Sequence, residues 1–257
     1  MPAKPNFQDL LRAEWIKLKP TPALYISLAA PLIPVLLFLC VFIINGHVFL
    51  KEGVPRWGMF INSVMGFYTV FILPLYVSLQ TALINGIEHQ NDGWKRMFAI
   101  PTKRSLIYLT KLFYSYVFIL LNLITITILI FAAGKSLIII KPEYGFQNEP
   151  VPLSLFYLPG ALFLSLTSLV AFHHWLSLRF KNLFTIIGIG IALTIPLIVV
   201  VYEESARWFY LWAYPTIVNR SLIKDIPGYE PYILISVALA LIIIIIDIYT
   251  IKSRNIL

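Results

Sequence analysis

Cysteine is nearly missing from this chain: Cys40 stands alone among 257 residues, inside an apolar run. A disulfide within the chain and a cysteine-rich metal site are thereby excluded. A lone cysteine in such surroundings reads as packing. Charge is scarce too. Asp, Glu, Lys and Arg make up 12% of the residues, about half of what soluble domains carry. The sequence has no G-x-x-x-x-G-K-[ST] loop to cradle phosphates, no H-E-x-x-H and no G-x-S-x-G. It therefore does not hydrolyse ATP through a phosphate loop of its own, and the common zinc-protease and serine-hydrolase devices are out.

What is abundant is apolar surface. Hydrophobic residues reach 59% and the mean hydropathy is +0.83. A globule of this size cannot hide that much, so lipid must serve as the remaining solvent. A bilayer core of about 30 Å takes about 20 apolar residues in a helix. Six stretches qualify, at 21–45, 58–87, 105–133, 152–177, 183–201 and 231–251. The expected fold class is all-α, a polytopic membrane protein with six transmembrane helices in one domain over 1–257. The first run, Thr21 to Asn45, is too long for a signal-peptide core. The second contains Pro74, which predicts tilt or a kink.

A net charge of +8 could suggest nucleic acid, but the basic residues flank hydrophobic runs instead of clustering. With the N-terminus inside, thirteen Lys and Arg fall on inner segments and seven on outer ones. That bias places both termini in the cytoplasm and leaves no role for nucleic acid.

Residues 6–19 read as a short amphipathic helix ahead of the first span. Asn6 is placed to cap it, Asp9 follows three residues on, and Pro20 ends it. Phe7, Leu10, Leu11, Trp15 and Leu18 recur at helical spacing, with Arg12, Lys17 and Lys19 on the other side. The expectation is a helix lying in the lipid interface, apolar face down. Beyond the fifth span, Trp208-Phe209-Tyr210-Leu211-Trp212-Ala213-Tyr214-Pro215 is dense in aromatics. It reads as a segment dipping into the outer leaflet, or as a plain aromatic-belt loop.

Few residues suggest chemistry. Asp247 is the one acidic residue within a span and a functional suspect by default. It also lies five residues before Lys252, about 7.5 Å along a helix, and so reads equally as an interfacial carboxylate. His173 and His174 are adjacent, so they face different directions on a helix and make poor joint metal ligands; near Arg179, a structural role at the interface is expected. Glu203-Glu204 with Arg207 evokes the paired glutamates of intramembrane prenyl-protein proteases. No histidine follows position 174, and the pair reads as the start of a solvated loop.

The connection from Glu88 to Arg104 is too polar to span and too apolar to be a free loop. Trp94, Met97 and Phe98 stand at i, i+3 and i+4, with Lys95 and Arg96 beside them, Gly93 before and Pro101 after. A short surface helix with a protruding apolar knob suits docking into a groove on a partner protein. An interfacial anchor is the other reading.

These residues carry a resemblance. Glu14-Trp15-Ile16-Lys17-Leu18-Lys19 before six spans, then Glu88, Trp94-Lys95, Pro101, Arg104 and Lys111, resembles the permease subunit of type 2 ABC exporters. Within them the chain is most similar to the bacitracin and lantibiotic immunity group. The resemblance implies a coupling helix seated on a separate ABC ATPase subunit, present in two copies. Glu88, Asp92, Trp94, Lys95, Arg96, Met97, Phe98, Pro101 and Arg104 would form that contact. It also implies a second permease chain, identical or homologous, and an elbow helix built on Phe7, Leu11, Glu14, Trp15 and Lys17. Trp208, Trp212, Tyr214 and Pro215 would belong to an external re-entrant element. No cofactor would sit on this chain, since ATP and Mg belong to the partner ATPase. The setting would be a bacterial cytoplasmic membrane, and an aromatic-rich outer surface suits amphipathic or lipid-like cargo such as an antimicrobial peptide. A membrane sensor or assembly factor without transport, and an intramembrane enzyme, are the alternative readings.

Overall fold

A computed structural model describes residues 6–50, 53–89, 93–99 and 102–253 of the chain. Asp92 and Pro101, and the side chains of Lys95, Phe98 and Lys252, lie outside the described residues. Within them every regular element is helical. Five helical stretches are long and apolar enough to cross a bilayer: Pro22–Phe49, Arg56–His89, Arg104–Ile140, Leu183–Val200 and Glu230–Ile251. A sixth is a pair, Ser154–Ser165 and Thr167–Arg179, bent by 46°. The chain is a multi-pass membrane protein.

The helices open with α1 (Phe7–Leu18). Its N-terminus is closed by a reciprocal capping box, in which Asn6 Oδ1 accepts from the Asp9 N–H at 2.9 Å and Asp9 Oδ2 accepts from the Asn6 N–H at 3.1 Å. After Pro20 the first crossing follows as α2 (Pro22–Ala29) and α3 (Leu32–Phe49). Cys40 on α3 is exposed on the outside of the bundle, so it is not a packing residue within this chain.

The second crossing runs from α4 (Arg56–Phe67) into α5 (Leu73–His89) through one wide π turn, Tyr68–Ile72. Pro74 explains it. Proline has no N–H, and its ring would strike the carbonyl four residues back, that of Val70. The helix answers by widening, and the Leu73 N–H reaches back five residues to Tyr68 O. The carbonyl of Thr69 then faces Pro74, which has no donor to offer. Thr216 Oγ1 supplies one from another helix at 3.3 Å.

After α6 (Gly93–Ala99) comes α7 (Arg104–Ile140), 37 residues and so about 55 Å long. It runs past the expected end at 133, and at Gly134 the indole of Trp57 sits directly on its backbone. The fourth crossing, α8 (Ser154–Ser165) and α9 (Thr167–Arg179), breaks at Leu166. A break exposes backbone groups that hydrocarbon cannot satisfy. Ser236 fills the gap: its hydroxyl donates to Ser165 O at 2.8 Å and accepts from the Ser168 N–H at 3.1 Å.

The fifth crossing is α10 (Leu183–Thr194) with α11 (Leu197–Val200), separated by Pro196. One turn, α12 (Glu204–Arg207), leads through the aromatic segment to α13 (Ala213–Lys224), and α14 (Glu230–Ser253) ends the described chain. The large apolar core draws on α3, α4, α5, α7, α8 and α13. At one end of the bundle it is closed by the loop after α7. Phe146 is buried there, the indole N–H of Trp57 donates to its carbonyl at 3.2 Å, and Glu149 accepts from the Arg56 N–H at 2.6 Å.

Candidate functional site

At the opposite end of the bundle, four charged side chains from three elements meet. Lys111 on α7 lies 2.6 Å from Glu14 Oε1 on α1 and 3.4 Å from Glu88 Oε1 on α5. Lys17 on α1 lies 2.8 Å from the same Glu88 oxygen and 3.6 Å from Glu14 Oε2. Lys111 is 0% exposed, Glu14 2% and Glu88 5%. Ions buried so deeply are tolerated only when paired and hydrogen-bonded. Two acids and two bases cancel, and Lys111 gains a further acceptor in Ile84 O at 3.4 Å. Burial would lower the pKa of Lys17, but the hydrogen bond to Glu88 and the charges of Glu14 and Glu88 outweigh it, and the net shift is upward.

The quartet explains where α1 goes. An interfacial placement, apolar face on lipid, was expected. Glu14 sits on the stripe between Leu11 and Leu18 and needs a cation, so Lys111 draws that stripe onto the chain itself. Leu18 packs with Ala23, Ile84, Tyr114 and Phe118. Trp15 stacks on Tyr114 with ring centroids 6.1 Å apart. Phe7 and Trp15 keep an exposed edge.

The short helix α6 is fastened to the same quartet. Met97 Sδ accepts from Lys17 Nζ at 3.5 Å, and the Trp94 ring lies 5.7 Å from Lys111 Nζ. The Trp94 indole donates to His89 Nδ1 at 3.2 Å, and His89 Nε2 passes the link on to Ser177 O, 2.8 Å away. Gly93 is required by proximity, since a Cβ there would stand 2.8 Å from Glu88 Oε2 and 2.9 Å from its Cα. The expected protruding knob is therefore turned inward for two of its members. Trp94 packs among Tyr108, Leu112, Leu178 and Ile251, and Met97 faces Lys17. Among the described side chains of α6, Arg96 is the exposed one, while Arg104 opens α7 half-buried.

Asp247 forms a second, smaller cluster beside this one. It is fully buried, 3.1 Å from Arg179 Nη1 and 3.2 Å from the Tyr108 hydroxyl. Arg179 in turn stacks 4.2 Å over Trp175. Its ion pair with Arg179 lies within the protein and joins α9 to α14.

From the quartet a polar seam rises into the bundle. Ser78, Thr81, Asn85 and Glu88 share one face of α5, at i, i+3, i+7 and i+10. Asn85 Nδ2 donates to Ser177 Oγ at 2.7 Å and lies 3.2 Å from His174 Nδ1, which also touches Ser115 Oγ at 3.2 Å. His173 turns the other way, to Ser78 Oγ at 3.2 Å. Both histidines are fully buried within the protein, and they face different partners as adjacency on a helix requires.

The inner part of the aromatic segment packs into the protein. Trp208 stacks on Tyr232 in the first turn of α14, with centroids 4.4 Å apart. Four residues later Trp212 meets His173, and α13 carries the chain back until Ile223 borders the cleft beside Trp57. Trp212 and Tyr214 are 4% and 1% exposed, and Pro215 is buried with them. Only the front of the segment, Trp208 and Phe209, is exposed.

Sequence reasoning missed His89, Asn85, Ser177 and Arg179, and placed Lys111 beside the motif without its partners. The available signal was the seven-residue and ten-residue spacing of polar side chains on α5. Among the described residues no group of His, Cys, Asp and Glu could hold a metal, and Glu203 and Glu204 are exposed.

Several crossings, charges buried in pairs and a short helix fastened to the bundle define a polytopic membrane protein. Residues 10–200 match the model of a family described as ABC-2 family transporter protein, and the chain belongs to that family. No curated protein and no solved structure gives a match. Membership makes the chain the membrane permease subunit of an ABC transporter, a transport subunit rather than an enzyme, and implies an ABC ATPase as its partner.

Proposed function

We propose that this chain is the permease of an ATP-driven exporter and that α6 is the lever on which the separate ATPase pushes. One observation carries the reading: α6 is welded by Trp94 and Met97 to the Glu14–Lys17–Glu88–Lys111 quartet, and so to α1, α5 and α7 together. A push on α6 cannot be absorbed locally, because each yielding contact would expose a buried charge. It is passed to three elements at once.

In this reading α1, α6 and both termini are cytoplasmic in a bacterial inner membrane, in keeping with the Lys and Arg bias. Two ATPase copies bind ATP and Mg and serve two permease chains, identical or homologous. Arg96, with Asp92, Lys95, Phe98, Pro101 and Arg104 of the same connection, belongs to the seat of the ATPase, and Glu88, buried in the quartet, carries the push behind it. The cargo is an amphipathic or lipid-like solute such as an antimicrobial peptide, as in the bacitracin and lantibiotic immunity group.

The test is co-purification of an ATPase with the tagged chain from native membranes. The expected result is a stoichiometric ATPase that the Arg96→Glu chain loses while keeping its melting temperature. Absence of any ATPase on the unaltered chain would sink the proposal.

A further inference from the structure

At the end of the bundle opposite the quartet, a cleft of about 600 Å³ lies between the start of α4, the start of α8 and the end of α13. Small-molecule sites span about 300–1,000 Å³. Its walls are mostly apolar, and they are stiff. Pro55, Pro150 and Pro152 fix the backbone around it. Trp57 is held back from filling it, because its indole rests on Gly134 and donates to Phe146 O. Two charged residues stand on these walls, Arg56 and Glu149. Glu149 spends Oε2 on the Arg56 backbone N–H at 2.6 Å. Its Oε1 has no hydrogen-bond or ion-pair partner among the described residues. The position of the cleft narrows what can reach it. Helices α4 and α8 open the second and fourth crossings here, so it lies where the chain leaves the hydrocarbon. Val54 and Leu153 on its margin are exposed, as are Phe156 and Tyr157 in the first turn of α8, an apolar and aromatic border suited to the lipid boundary.

We propose that this cleft holds the headgroup of a phospholipid that carries both charges, a phosphate beside a primary ammonium. The ammonium, a donor of three N–H groups, goes to Glu149. The phosphate goes to Arg56, whose five donors can serve it alongside the contacts the side chain already makes. The glycerol and the first chain carbons lie along the prolines. One acid and one base on apolar walls match this zwitterion better than they match a single charge. An anionic headgroup would set its phosphate near Glu149 with no cation between them. A choline headgroup brings both charges, but its quaternary nitrogen has no N–H to give the carboxylate. The stiff walls hold the site open before the lipid arrives, which lowers the cost of binding. The bound headgroup joins the loop before α4 to the loop before α8, whichever partner drives the protein.

The test uses the full chain, purified from vesicles mixing phosphatidylethanolamine, phosphatidylcholine and phosphatidylglycerol with the same acyl chains. Native mass spectrometry counts the lipids it keeps. The expected result is several-fold more phosphatidylethanolamine than either of the others. Glu149→Gln retains an oxygen for the Arg56 N–H and loses the charge, so phosphatidylethanolamine should fall to the phosphatidylcholine level at an unchanged melting temperature. That variant can fail to fold, and a second series therefore uses the unaltered chain. Retention should drop stepwise from ethanolamine through its monomethyl and dimethyl forms to choline, as N–H donors are removed. Equal retention of the three lipids, a preference for phosphatidylglycerol, a preference for phosphatidylethanolamine that survives Glu149→Gln, or a flat methylation series would overturn the assignment. Displacement of the lipid by an equal concentration of soluble phosphoethanolamine would overturn it as well, since the cleft would then take a free solute.

Discussion

The two ends of this bundle are held by opposite means. At the charged end, Glu14, Lys17, Glu88 and Lys111 close on each other within 2.6–3.6 Å, and α6 is attached through them. At the other end the fit is one of shape. Trp57 lies on Gly134, Tyr144 presses on Gly46 (where a Cβ would be 2.6 Å from its ring), and Phe146 plugs the gap between them. Ion pairs keep their strength over a range of separations, while close-packed contacts lose theirs within an ångström. The charged end can shift and stay joined. The shape-locked end cannot, and it suits a fixed abutment against which the other end works.

Removing a charge should break this comparison most severely. Lys111→Met leaves Glu14 and Glu88 buried with Lys17 as their remaining partner in the quartet, and a broken buried pair costs about 3–5 kcal/mol. We expect a large fall in the thermal unfolding midpoint in detergent, with α1 becoming open to protease. A midpoint equal to that of the unaltered chain would show that the quartet holds nothing together. Next in size, Gly134→Ala drives a methyl into a rigid indole, and overpacking of that kind costs about 1–3 kcal/mol. Unfolding should be easier while ATPase binding is retained, because the damage lies at the far end. If that variant lost the ATPase first, the two ends would not be separable.

The smallest effect is on pH. Lys17 is held above its ordinary value, so its share of stability is complete below about 10.4 and is lost as pH rises through the higher folded value. The attachment of α1, followed through Trp15 fluorescence against Tyr114, should be flat from pH 7 to 9 and weaken only in strong alkali. Release of α1 near neutrality would assign its docking to another group.

Much of this was legible in sequence because the rules involved are local. Asn6 and Asp9 form their capping box from neighbouring residues alone, and the crossings announce themselves through unbroken apolar length. Pro74 marked a disturbance, though its outcome, a π turn relieved by Thr216, needed knowledge of which helix lies alongside. The same limit hid the site. Glu14 and Lys111 are 97 residues apart in the chain and touch, and neither advertises the other. Asp247 was read against Lys252 because Lys252 is near in sequence, and the side chain of Lys252 lies outside the described residues; Arg179, 68 residues away, is a partner that sequence distance hid. Trp94 and Met97 were rightly seen as one face. Periodicity states that a face exists, not which side of the chain it meets.

The order in which the quartet is made has a consequence for how the protein is built. Glu14 and Lys17 leave the ribosome long before Glu88, and Lys111 comes later still. Before Lys111 arrives, Glu14 and Glu88 have Lys17 alone in the quartet to share between them, too little to bury two carboxylates, so the first helix docks fully once the third crossing has arrived. Helix α1 is thus among the last pieces to settle, although it precedes the crossings in the chain. Nascent chains arrested ahead of Lys111 should leave it open to protease, and those arrested well beyond should not.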